Sequence, residues 1–344
     1  MVDWELARRI GARMAGEGPQ MSRAEADACV AELREHANAS TALVAEFTGL
    51  VARERSAPVL VVDRPGWIKA NTVAFDKLLA PVMAKMAQKR GEPSGLTAAV
   101  GSRITGAEVG VLLGFLGGKV LGQFDPFHQK PGEDGRLLLV APNIVHVQRE
   151  LDVDARDFRL WVCLHEETHR VQFTAVPWMR DHLESLMQEI TAALPSEPTE
   201  MVGEVFKRAG DLISRRSDGS LIDLFSTPEQ KLVIDKVTGV MSLLEGHADI
   251  VMDGVGPEVI PSVAQIRHRF TQRRKGVGGL DKLLRRLLGL DQKMAQYRDG
   301  AIFCRHVIDK VGMDDFNVVW SSPETLPSKA EILDPDLWLA RVHD

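Results

Sequence analysis

Along most of this chain apolar residues recur every three to four positions, the period of helices buried along one face. Ser22 with Glu25 forms a capping box that opens a helix towards His36, and a second apolar stripe follows over 40–53. The all-apolar run Val59–Val62 reads as a strand. Pro65 comes next, then a helix over about 70–88 and a loop over 89–95, where Gly91, Pro93 and Gly95 cluster. Glycines stand at 106, 110, 114, 117, 118 and 122. Several are four apart, which on a helix makes a smooth strip for close packing. A phosphate-binding loop would need the GxxxxGK[ST] order, and this stretch lacks it. The run Leu-Leu-Leu-Val at 137–140 is the clearest strand and reads as an edge strand. A short connection over 142–152 joins it to helices over 157–173 and about 230–252. The expectation is a mainly α protein with a few short strands in one domain. Its N-terminal helical part covers about 1–90 and its core about 100–320.

Composition narrows the function more than the fold. Hydrophobic residues at 44% and charged residues at 26% are ordinary for a globular chain. A net charge of −6 argues against a general nucleic-acid binder. Cys29, Cys163 and Cys304 are far apart and form no CxxC, so no disulfide framework is expected, which suits the cytoplasm. The N-terminus lacks the basic-then-apolar pattern of a secretory signal. The longest apolar run, 109–118, is too short to span a membrane. A basic cluster, Arg267, Arg269, Arg273, Arg274, Lys275, Lys282, Arg285 and Arg286, stands out in an acidic chain. It reads either as a solvated surface or as a site for an anionic ligand.

The chemistry concentrates at His165-Glu166-Glu167-Thr168-His169, an H-E-x-x-H sequence inside the 157–173 helix. One helical turn separates the two histidines, so both imidazoles leave one face and can grip a single Zn²⁺. Glu166 is placed to hold a water and take its proton. Cys163 faces away from His165 on the helix and reads as core. A catalytic zinc needs a third protein ligand. Glu245 is the best candidate, with Asp249 on the same helical face to orient a ligating histidine from behind. Rivals for the third position are His247, Asp253, His182 and His306. Gly246 would remove bulk where two helices approach closely. Tyr297, the single tyrosine, is a candidate donor to the oxyanion of a tetrahedral intermediate, beside His247, Arg298 and His306.

H-E-x-x-H followed by a helix carrying E-x-x-x-D resembles the gluzincin pattern of the thermolysin class. More closely, the chain resembles a zincin-like metallopeptidase family of actinobacteria and related bacteria. The resemblance lies in VDRPGW at 62–67, GGKVLGQFDPF at 117–127, WVCLHEETHRVQFTAVPW at 161–178, LLEGHADIVMDG at 243–254 and LLGLDQKMAQYRDG at 287–300. Some relatives carry a label linking them to deazaflavin-coenzyme biosynthesis. The resemblance implies a zincin-like helical domain with an active-site helix, His165, His169 and Glu245 as zinc ligands, Glu166 as base and Asp249 behind a ligand. The expected activity is cytoplasmic, zinc-dependent hydrolysis of a peptide or protein substrate, with no nucleic-acid or membrane partner. Two alternatives stand beside it: hydrolysis of a non-peptide amide in coenzyme or metabolite chemistry, and a catalytically inactive zinc-binding interaction protein.

Overall fold

The computed structural model describes residues 2–52, 57–90, 95–130, 133–193, 228–275 and 290–343. In chain order the helices are α1 (Trp4–Ala15), α2 (Arg23–Thr48), α3 (Arg64–Arg90), α4 (Gly95–Gly117), α5 (Ala141–Leu151), α6 (Ala155–Ala175), α7 (Met179–Ala193), α8 (Pro228–Gly254), α9 (Val263–Lys275), α10 (Leu290–Phe316), α11 (Lys329–Leu333) and α12 (Pro335–His343). The strands are β1 (Val59–Val62), β2 (Gly122–Lys130) and β3 (Glu133–Val140). The chain is thus mainly α with a few short strands.

The axis of the fold is α6. Asp154 caps it by accepting from the Asp157 N–H, and Pro177 lies two residues past its end. It is buried on nearly every face, which explains why the sequence there is apolar beyond a single stripe. Phe158, Trp161 and Cys163 pack with Cys29, Leu33 and Val44 of α2 and with Val251 and Met252 of α8. Cys163 is buried against the Leu33 carbonyl, as its position opposite His165 predicts. The fully buried Glu167 is matched by Arg170 through two bonds, 2.5 and 2.8 Å, and by the Thr41 hydroxyl at 2.8 Å. A second apolar cluster joins α7, α8 and α10 to the C-terminal segments through Leu243, Phe303, Phe316 and Trp338.

Several local expectations change. One helix, α2, joins the two predicted segments but stops at Thr48, short of the expected end at 53, where Gly49 takes a left-handed conformation. Its capping box is present, and no break separates the two segments: the Ser40 hydroxyl bonds back to the His36 carbonyl inside a continuous helix. At α3 the helix starts six residues before the predicted position. Asp63 accepts from the Gly66 N–H, and Pro65 sits in the first turn, where its missing N–H costs nothing. The expected connection over 142–152 is the helix α5, with Pro142 again in the first turn.

Strand order also differs. The sheet runs β1-β3-β2, with β1 parallel and β2 antiparallel to the central β3. The 137–140 run is therefore central, not an edge. Leu138 and Val140 pack on Trp67 and Ile68, while Leu139 enters the α2–α6 cluster. Both faces are covered, and that is why the run is uniformly apolar. The edge strand beside α6 is β2. It escaped prediction because Gly122, Pro126 and its polar residues are poor strand signals, and its register slips between Asp125 and Gln129.

The glycine strip packs as expected at 106, 110 and 114, but the helix ends at Gly117, and Gly122 lies in β2. A Cβ at Gly110 would lie 2.8 Å from the Ala7 carbonyl oxygen, and one at Gly114 2.8 Å from that of Gly11, so α4 lies directly on α1. A flanking face leaves Val100, Ile104 and Val111 exposed. Among the described residues this is the one helix, over Ala99–Gly117, long and apolar enough to cross a bilayer. Counting an uninterrupted run at 109–118 underestimated it, because Glu108 ends the run while the helix N-terminal to it, with Arg103 as its other charge, stays largely apolar.

At the C-terminus Glu331 accepts from the Ser328 N–H at 2.7 Å, and Arg341 Nε bonds it at 2.5 Å. Burial works to raise its pKa, but the bonds from Arg341 and Ser328 outweigh it and hold the carboxyl below the ordinary glutamate value. A lowered folded pKa contributes stability that is present above the unfolded value and is lost as pH falls through the folded one. Glu331→Gln is therefore expected to lower stability by about 1–2 kcal/mol at neutral pH. Its deficit should shrink below pH ~4, the ordinary carboxylate range. Denaturant melts of both proteins across that range check it, and a deficit independent of pH would contradict it.

Candidate metal centre

His165 and His169 project from the same face of α6 towards α8, with ring centroids 4.8 Å apart and planes at 87°. Their Nε2 atoms are 3.2 Å apart. Glu245 Oε2, from α8, lies 3.5 Å from His165 Nε2 and 3.4 Å from His169 Nε2. Three lone-pair donors thus form a nearly equilateral triangle. Ligands on tetrahedral zinc at 2.0–2.1 Å stand ~3.3–3.4 Å from one another, so these residues fit the ion in donor type and spacing. Burial works to lower the pKa of His169, but the hydrogen bond and charge of Glu245, with Glu166 and Gln172, leave it above the ordinary histidine value. The carboxylates that favour a proton there favour a metal cation equally.

The close approach of α8 is set by its glycines. A Cβ on Gly246 would overlap the backbone of Gly300 and Ala301 on α10, and Gly239 fits as tightly against Pro327. Gly246 therefore has the packing role its sequence position suggests, one residue from Glu245.

The donor triangle opens on a cleft of about 380 Å³. Glu166 lines it beside β2, where a Cβ on Gly122 would come within 2.6 Å of the Glu166 side chain. Glycine at 122 is what leaves the carboxylate room. One wall is polar: the Asn71 and Gln123 amides bond each other at 3.0 and 3.1 Å, and buried Asp125 pairs with Arg136 at 2.9 Å. The other wall is apolar, formed by Phe127, Phe173, Leu183 and Met241.

The remaining sequence candidates fall elsewhere. Asp249 shares a helical face with Glu245, but among the described residues it bonds Arg267 at 2.7 Å and makes no contact with a ligating histidine. Arg267, presented by α9, also pairs with Asp253 at 2.7 Å and stacks over Trp161. It neutralises both acidic residues, whose partly buried charges need a partner; Asp253 also accepts from the Trp161 indole N–H at 3.3 Å. The outer Nδ1 of His169 meets Gln172 instead, at 2.9 Å. His247 is fully buried between Phe316 and Trp320, outside the triangle, and burial pushes its pKa down to about 3. His182 packs on Trp178, His306 pairs with Asp336 and Arg298 with Asp299. Tyr297 lies on α10, but its side chain is outside the described residues. In the basic cluster Arg267 and Arg273 are paired with carboxylates of this chain, Arg273 with Glu150 at 2.8 Å. Lys282, Arg285 and Arg286 lie outside the described residues.

Residues missed from the sequence include Gln172, Asn71, Gln123 and Gly122. Gln172 carried a local signal, three positions after His169 and hence on its face, and Gly122 stood out as a glycine but was read as part of a helical strip.

A family model described as zincin-like metallopeptidase matches residues 2–339. A crystal structure from Chloroflexus aurantiacus, described as "a putative hydrolase with a novel fold", is similar at 32% identity with a TM-score of 0.73, covering 100% of this chain and 99% of that one. No curated protein matches the chain significantly. The family and this neighbour support a hydrolase, and the donor set supports a metal in it. With the family model matched from end to end, the chain belongs to the zincin-like metallopeptidases.

Proposed function

We propose that this chain is a zinc-dependent peptidase with Glu166 as general base. The observation that carries the reading is the convergence of His165 Nε2, His169 Nε2 and Glu245 Oε2 at the floor of a cleft that also holds Glu166. Zinc held by these three residues would supply Lewis acidity, activating a water in its open position and polarising a carbonyl. Glu166 takes the proton of the attacking water and passes it to the leaving amine. The free edge of β2 offers main-chain groups to an extended peptide, and Phe127, Phe173, Leu183 and Met241 accept an apolar side chain and exclude water. Tyr297 is kept as the candidate oxyanion donor, since Arg298 and His306 are turned to their own carboxylates. Buried, unpaired cysteines support a cytoplasmic setting, and the acidic net charge supports a peptide over a nucleic acid as partner.

Elemental analysis of protein purified without added metal is expected to show about one zinc per chain, the content of a single three-ligand site. Digestion of a peptide library should show cleavage that stops on chelation and returns with zinc. In competitive chelator titrations Glu245→Ala should weaken zinc binding far more than Asp249→Asn, because Asp249 serves Arg267. Protein that stays metal-free after dialysis against zinc would sink the proposal. Zinc-loaded protein that leaves peptides intact but cleaves a non-peptide amide would move the substrate class.

A further inference from the structure

Gln172 lies less than one turn beyond His169 on α6 and is fully buried. Its amide touches three groups. Oε1 is 2.9 Å from His169 Nδ1, while Nε2 is 3.0 Å from the Leu244 carbonyl oxygen and 3.0 Å from His247 Nδ1. A backbone carbonyl can only accept, so the end of the amide facing Leu244 is the NH₂. The reverse orientation would press two acceptor oxygens together at 3.0 Å in a buried site and leave the Leu244 contact repulsive. With the NH₂ so placed, Oε1 faces His169, and it too can only accept. His169 therefore carries a proton on Nδ1. The second NH₂ hydrogen goes to His247 Nδ1, and His247 is held by stacking on Phe316 at 5.7 Å and edge contact with Trp320 at 5.2 Å.

A neutral imidazole can hold its proton on either nitrogen, and which one is set by the partner of the other. Glu245 Oε2, 3.4 Å from His169 Nε2, pulls the proton towards Nε2. That tautomer would pair His169 with Glu245 and leave no lone pair for a cation. We infer that Gln172 is a positioning residue that holds the proton of His169 on Nδ1 against the pull of Glu245, so that Nε2 is presented as a metal ligand, with the Leu244 carbonyl and His247 fixing the amide in turn. The inference rests on the metal reading above, in which His169 is a ligand. It couples the two halves of the site: α8 supplies Glu245 and, through the Leu244 carbonyl one residue earlier, orients the group on α6 that prepares His169 for the same ion.

The test uses ¹⁵N-labelled full-length protein stripped of metal and held at a pH where His169 is neutral. Long-range ¹H–¹⁵N spectra report which ring nitrogen carries the proton. Wild type should show His169 protonated on Nδ1. Gln172→Leu, and Gln172→Met as the variant closer in shape, should shift it towards protonation on Nε2. Both should lose zinc affinity by roughly 10–100-fold, the usual effect of removing a ligand's outer hydrogen-bond partner. His247→Leu should keep the wild-type tautomer, because Leu244 alone still orients the amide. Wild type protonated on Nε2, or Gln172 variants with unchanged tautomer and affinity, would overturn the inference while leaving the metal site standing. A wild-type chain that takes up no zinc would overturn the metal reading itself, and this inference with it.

Discussion

Glu166→Gln is expected to keep zinc and fold and to lower hydrolysis roughly 10²–10⁴-fold, the range for loss of a positioned general base. The substitution changes charge but not size, which matters because the side chain is 7% exposed and lies against Gly122. The three donor atoms come from other residues, so zinc content should be unchanged. What is lost is the group that takes a proton from water and returns it to the amine, and an amide cannot do either. Single-turnover cleavage of the best peptide from the library, at matched zinc content, measures the effect. Near-normal turnover would rule out Glu166 as the base. Gly122→Ala makes the same point from the opposite side. Its Cβ would come within 2.6 Å of the Glu166 carboxyl carbon and must displace it, so part of the activity should be lost with the carboxylate still present.

Gly246→Ala is expected to destabilise the protein by about 3 kcal/mol and to weaken zinc binding as well. Alanine is the better helix former by ~1 kcal/mol, so propensity alone predicts the opposite sign. Sterics win because the added methyl overlaps the backbone of Gly300 and Ala301, and a backbone cannot turn aside as a flexible side chain can. α8 and α10 must separate, and Glu245, the next residue along, moves with α8. Denaturant unfolding together with chelator competition would show both effects. The control is Gly101→Ala on the exposed side of α4, where a Cβ meets nothing within 4 Å. It should raise stability by ~0.5–1 kcal/mol. Equal effects at the two glycines would show that the α8–α10 contact is looser than described.

The sequence alone determined what depends on a few neighbouring residues. The spacing of His165 and His169 placed both rings on one helical face, because the helical repeat is a local property of the backbone. The same holds for the Ser22–Glu25 capping box, the glycine strip of α4 and the small residue at 246. Only the tertiary structure decided which distant segment answers each local offer. Glu245 and Asp249 are equivalent by spacing, yet one reaches the histidines and the other is taken by Arg267 from α9. The sheet edge beside α6 belongs to β2, not to the apolar β3, because β3 lies between β1 and β2 with both faces covered. Gln172 reads as an ordinary polar helix residue until α8 brings the Leu244 carbonyl and His247 to its amide. Periodicity tells which side of a helix a residue occupies. The partner it finds there is settled by the burial of charges and hydrogen-bonding groups between segments far apart in the chain, where every buried polar group must be matched.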